Sequence, residues 1–245
     1  MLASLIIAFS ITSHGLTPQS YGQWKDILTD SGITVSILKP DNRSLPIVRA
    51  TGILKCNLYH LLAILDDVPK HVQWMTRIKQ ARTLSQQSVY ARVLYHHFDV
   101  PWPAYDRDVV SKVKASISND GKKVRVTLES TANHTKPKRK RIIRVPRFLT
   151  RIDLVYLSSM ETHATLITDI DPGGAIPDWI VTWLLKRIPK KLVERLRTQL
   201  GQTQSNYTDF INRHNTTRLP RKGERTQKPG NKKSPTSNPA QSATP

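Results

Sequence analysis

Between Val89 and Ile170 the apolar residues fall on alternate positions in run after run, and this period of two constrains the fold more than any other feature of the chain. Successive side chains of a strand point to opposite faces, so Val89, Ala91, Val93 and Tyr95 describe one strand with a single apolar face. Val124, Val126 and Leu128 describe another; Ile152, Leu154 and Tyr156 a third; Ala164, Leu166, Thr168 and Ile170 a fourth. No helical pattern separates them, which predicts an antiparallel meander with one face covered. The run ends at Asp171-Pro172-Gly173-Gly174, where two glycines permit positive φ and a sharp reversal.

Helical signals flank the meander. Thr17-Pro18 offers an N-cap and a proline at the first helical position, predicting a short opening helix with Trp24, Ile27 and Leu28 on one face. Ile33 to Leu38 and Ile47 to Lys55 are rich in β-branched residues and flank the turn cluster Pro40-Asp41-Asn42, which predicts a hairpin. Asn57 then caps a segment in which Leu58, Leu61, Leu62 and Leu65 recur at helical spacing. Pro177 opens a final amphipathic helix carrying Trp179, Ile180, Trp183, Leu184 and Ile188, then Leu192, Val193, Leu196 and Leu200, with a kink expected at Pro189.

The formal charge of +20 resembles a nucleic-acid signature until it is located. Lys136 to Arg151 holds eight basic residues and no acid, Lys186 to Arg197 six against Glu194, and Arg213 to the end eight against Glu224. The remaining body is balanced, so three patches carry all that an anionic partner would feel. Phe148 is the only aromatic between Lys136 and Arg151, whereas RNA readers interleave aromatics with basic residues. A nucleic-acid partner is therefore the alternative rather than the first reading. A cavity enzyme acting on a lipid-like substrate is a second alternative, and it would need acid and base groups lining a tunnel.

The first eleven residues, MLASLIIAFSI, are almost wholly apolar and lead into Ser13-His14-Gly15, a small-x-small site that a signal peptidase accepts. Residues 1–15 are thus expected to be a signal peptide or an N-terminal hydrophobic segment, residues 16–210 one globular domain, and residues 211–245 a basic disordered tail. The location expected is secreted or periplasmic if the leader is cleaved, and cytoplasmic or membrane-anchored otherwise. The single cysteine, Cys56, cannot form an internal disulfide. His96 and His97 fall on opposite faces of one strand and cannot jointly chelate a metal, and no nucleophile or nucleotide-binding motif is present, so neither metal, cofactor nor catalysis is expected.

Three strings resemble, in order and spacing, the steroidogenic-acute-regulatory-related lipid transfer (START) family. They are DDVPKHVQW from Asp66 to Trp74, PWPAYDRD from Pro101 to Asp108, and DPGGAIPDW from Asp171 to Trp179. With Trp24 and the basic string LLKRIPKKLVERLR from Leu184 to Arg197, the similarity spans residues 21 to 205. The resemblance implies an α+β helix-grip fold: a curved antiparallel sheet wrapped around a long C-terminal helix, enclosing a hydrophobic cavity for one sterol, phospholipid or fatty-acyl compound. It implies a non-enzymatic, monomeric lipid-binding or lipid-transfer protein whose C-terminal helix serves as a lid. Trp179, Trp183 and Leu184 would then face the cargo and Trp102 would stand near the entrance.

The places matching the family's cargo-anchoring groups are His71, Met75, Leu94, His96, Val109 and Val113, which departs from the charged or caged anchors of other members. His71 and His96 are the candidates for a polar contact and Val109 for an apolar one. Lys186, Arg187, Lys190 and Lys191 share the lid helix and would dock transiently on an anionic membrane surface. Asp106, Arg107 and Asp108 read first as fold determinants, since charged clusters at a strand start are commonly structural ion pairs.

Overall fold

The structure, a computed structural model, describes residues 23–40, 45–132 and 140–202. The expected leader and basic tail lie outside these residues. The chain runs β1 (Lys25–Asp30), β2 (Ile33–Leu38), β3 (Ile47–Leu54), α1 (Leu58–Asp66), a 3-10 turn (Val68–Lys70), α2 (His71–Trp74), β4 (Ile78–Ser88), β5 (Ala91–Phe98), β6 (Asp106–Ile117), β7 (Lys123–Ser130), β8 (Ile142–Arg144), β9 (Arg147–Ser158), β10 (Glu161–Asp171) and α3 (Asp178–Gln202).

The strands form one sheet in the order β1-β2-β3-β10-β9-β7-β6-β5-β4, antiparallel throughout, with short β8 alone lying parallel to β6. The alternating runs of the sequence are β5, β7, β9 and β10, and the hairpin is β2–β3. The register between β4 and β5 shifts at three places, between Ile78 and Gln80, Thr83 and Ser85, and Gln86 and Ser88. Each extra residue bends its strand and increases its twist.

The opening helix expected through Trp24, Ile27 and Leu28 is instead β1, paired with β2. Ser31 (φ 51°) and Gly32 (φ 77°) turn the chain back on itself. Cross-strand pairing with β2 then supplies the backbone bonds. α1 forms as predicted, with the Asn57 side chain accepting from the Tyr59 N–H at 2.8 Å and Leu58 and Leu61 buried.

Gly52 of β3 sits against the β1–β2 turn, where an added Cβ would collide with the Gly32 carbonyl and the Ile33 side chain. The obstacle is partly backbone and cannot rotate away. Gly52→Ala is therefore expected to destabilise by about 1–3 kcal/mol, read as a lowered Tm in thermal unfolding.

One apolar core joins α1 to the sheet and to the second half of α3: Leu54, Leu61, Leu62 and Leu154 pack with Val193, Leu196 and Leu200. The first half of α3 crosses the concave side of the sheet without filling it. That arrangement creates the hollow.

Candidate ligand cavity

The space between sheet and helix measures about 1390 Å³, larger than the roughly 300–1,000 Å³ of ordinary small-molecule pockets. Its walls are the inward positions of the strands predicted from alternation, among them Val126, Leu128, Ile152 and Leu166. Its roof is the α3 stripe Val181, Leu184, Leu185, Ile188 and Leu192. Threonines in the wall bond across strands, Thr51 to Thr165 at 2.9 Å and Thr150 to Thr168 at 3.1 Å.

Two histidines stand in the lining, which also includes the charged residues Asp66, Arg77, Arg92, Asp99 and Arg107. His71 on α2 and His96 on β5 stack with ring centroids 5.4 Å apart, and His71 Nδ1 lies 3.1 Å from His96 Nε2. The other ring nitrogen of His71, Nε2, is 3.1 Å from the Leu65 carbonyl oxygen. Burial holds both rings neutral: the pKa of His71 is pushed down to about 4 and that of His96 to about 3, with the neighbouring ring further lowering His96. Trp74, one helical turn on from His71, meets it edge-on at 5.6 Å and also lines the cavity. Its indole Nε1 is buried and without a hydrogen-bond partner.

Asp106, Arg107 and Asp108 tie the mouth of the hollow together. Their alternation along β6 turns Arg107 to the cavity. The buried guanidinium donates to the carbonyls of Tyr105, Gly173 (3.1 Å) and Ala175 (3.4 Å), so it clamps the Gly173–Gly174 turn that launches α3. Both glycines have positive φ, 65° and 64°, which an L side chain adopts at a cost. Asp106 accepts from Lys79 at 2.9 Å and from His97 at 2.8 Å, and Asp108 forms a two-pronged pair with Arg144 at 2.5 and 3.1 Å. The cluster is the structural device expected from its position at a strand start.

The expected site residues divide by place. His71, His96 and Leu184 line the cavity. Val109 is fully buried and pairs across strands with His96, but is not in the lining. Trp183 lies outside the lining with the Arg77 guanidinium 5.5 Å above its ring, and Arg77 in turn pairs with Asp99 at 2.7 Å. Trp102 and Trp179 are 87% and 56% exposed and lie outside the lining as well. At ~100° per residue, positions 179 and 183 stand on the side of α3 opposite Val181 and Leu185. Arg187 and Lys191 are exposed, whereas the side chains of Lys186 and Lys190 lie outside the described structure. Sequence reasoning passed over Trp74 and the cavity positions of α3 before and after Leu184. The aliphatic spacing 181, 184, 185, 188, 192 was the available signal.

A long helix gripped by a curved antiparallel sheet around a hollow defines the helix-grip class of α+β proteins. The START domain family model matches residues 19–205, and the chain belongs to that family. A Pseudomonas aeruginosa protein described as uncharacterized is 26% identical over 175 residues, which cover 71% of this chain and 85% of that protein. The crystal structure of a STAR-related lipid transfer protein fragment from Xanthomonas axonopodis has a TM-score of 0.65 at 25% identity, covering 72% of this chain and 98% of that one. Human StAR-related lipid transfer protein 5 shares the fold, with a TM-score of 0.63 at 17% identity over 73% of this chain and 86% of that chain.

Proposed function

We propose that this chain is a lipid carrier that encloses one largely apolar molecule beneath α3 and exchanges it at a membrane surface. The observation that carries the reading is the size of the hollow in relation to its lining. Walls of leucine, isoleucine and valine favour an acyl or ring skeleton over the water that would otherwise occupy the space, at ~0.8 kcal/mol for each CH₂ removed from water.

The surface around the lid supports a membrane encounter. Tyr105 and Trp102 are exposed on the loop before β6, and Arg107 bonds this loop to the lead-in of α3, which carries exposed Trp179. Amphipathic rings settle at the headgroup level, and each cation near an anionic leaflet contributes ~1 kcal/mol. A nucleic-acid role is less favoured because Arg144, Arg147 and Arg151 are held by Asp108, Asp169 and Asp153. Arg187→Glu with Lys191→Glu is expected to slow transfer of a fluorescent lipid between anionic vesicles about tenfold or more, leaving lipid bound per protein unchanged. Native mass spectrometry of the intact chain supplies the second readout. A chain that carries no lipid and moves none between vesicles would overturn the carrier reading.

A further inference from the structure

The two halves of α3 are held in different ways. In the second half Val193, Leu196 and Leu200 pack into the core with α1 and the sheet, and Arg197 donates to the Ser31 carbonyl. In the first half Val181, Leu184, Leu185 and Ile188 line the hollow, so cargo space rather than protein lies beneath them. Between the halves stands Pro189, which has no N–H to give to the Leu185 carbonyl, and the helical ladder lacks a bond there. Arg77 meets the first half at the rim of the hollow, its guanidinium carbon 5.5 Å from the centre of the Trp183 ring. A cation within about 6 Å of an aromatic face is attracted to it.

Arg77 is fixed in place for that contact. It joins α2 to β4 with φ 67°, a left-handed conformation that a residue other than glycine adopts at a cost. Three bonds to Asp99 hold it there: the Asp99 N–H donates to the Arg77 carbonyl at 2.8 Å, Arg77 Nε donates to the Asp99 carbonyl at 3.2 Å, and the guanidinium meets the Asp99 carboxylate at 2.7 Å. Asp99 in turn opens the loop that carries exposed Trp102. A planar guanidinium pairs with a carboxylate in its plane and stacks its face on a ring, which a lysine ammonium does not do. We propose that Arg77 is the latch of a half-lid. Held by Asp99, it fixes Trp183 and so closes the first half of α3 over the cargo. Exchange proceeds when Arg77 and Trp183 part and the helix turns at Pro189, with the second half still packed in the core. The inference rests on the carrier reading and adds the residue that sets the rate of exchange.

The test loads the intact chain with a fluorescent phosphatidylcholine and measures its release to neutral phosphatidylcholine vesicles, its equilibrium affinity, and amide hydrogen exchange along α3. Arg77→Lys keeps a charge beside Asp99, whose other carboxylate oxygen Lys79 already holds at 2.8 Å. Arg77→Lys and Trp183→Leu are each expected to speed both release and uptake about fivefold, because a weaker latch populates the open state more often. Affinity is expected to stay within about twofold, since the latch is lost from the loaded and the empty chain alike. The double variant is expected to be no faster than the faster single one, because both changes remove the same contact. Hydrogen exchange needs no substitution: in the wild type amides of 179–188 are expected to exchange faster than those of 192–200. Wild-type release rates in both single variants, or multiplying gains in the double variant, overturn the latch. Equal exchange along both halves of α3 overturns the half-lid. Uptake of no lipid by the wild type overturns the carrier reading, and the exchange contrast between the two halves still decides the hinge.

Discussion

Removing the carboxylate of Asp108 is expected to cost about 3–5 kcal/mol of folding stability, the scale of a buried ion pair broken from one side. Asp108 is 1% exposed and takes two hydrogen bonds from Arg144, at 2.5 and 3.1 Å. Asp108→Ala would take from the largely buried Arg144 guanidinium the carboxylate that it grips with two hydrogen bonds. The loss would spread toward the lid. Arg144 ends β8, whose Ile143 packs beneath Gly173 and Gly174, the turn that starts α3. Urea unfolding of Asp108→Ala against wild type measures the effect. Asp108→Leu with Arg144→Met, which removes both charges together, should recover much of it. If the single variant loses less than about 1 kcal/mol, the range of an exposed pair, the pair does not hold β8 to β6 as described.

Acidification is expected to weaken the protein through the histidine pair. His71 and His96 are neutral in the folded chain, with pKa values of about 4 and about 3, against about 6.5 when unfolded. Below pH 6.5 the unfolded chain binds protons that the folded chain refuses, so stability falls with falling pH. It is fully present above about pH 6.5 and is lost progressively toward pH 4. At pH 5 the linkage amounts to about 2 kcal/mol for each ring, or about 4 kcal/mol for both. Urea midpoints at pH 7 and pH 5 measure the drop, and His71→Asn with His96→Leu should flatten it. A drop of the same size in the double variant would place its source elsewhere.

The recognisable strings correspond to the cavity's framework more than to its contents. DDVPKHVQW supplies α2 and one half of the histidine pair. PWPAYDRD and DPGGAIPDW are the two segments that Arg107 clamps together. These strings carry sharp local signals, with proline, glycine or charge at turns and strand starts. The lid's phase carried no such signal. The resemblance implied that Trp179 and Trp183 face the cargo, yet smaller aliphatics fill the roof and Trp183 lies under Arg77. β1 was misread as a helix for a related reason: four to six residues at an edge fit either period until a partner strand selects one.

By itself the sequence determined the alternating strands, the capped α1, the glycine turn and the long final helix, because each follows from interactions within a few residues. Which wall residues meet across the hollow was decided by the tertiary structure alone. His71 and His96 are 25 residues apart, and only the curl of β5 against α2 brings their nitrogens to 3.1 Å. That contact ties α2 to β5 at the cavity wall. A hydrogen bond's direction depends on what stands opposite it, and in this cavity the opposite group comes from another element of the fold.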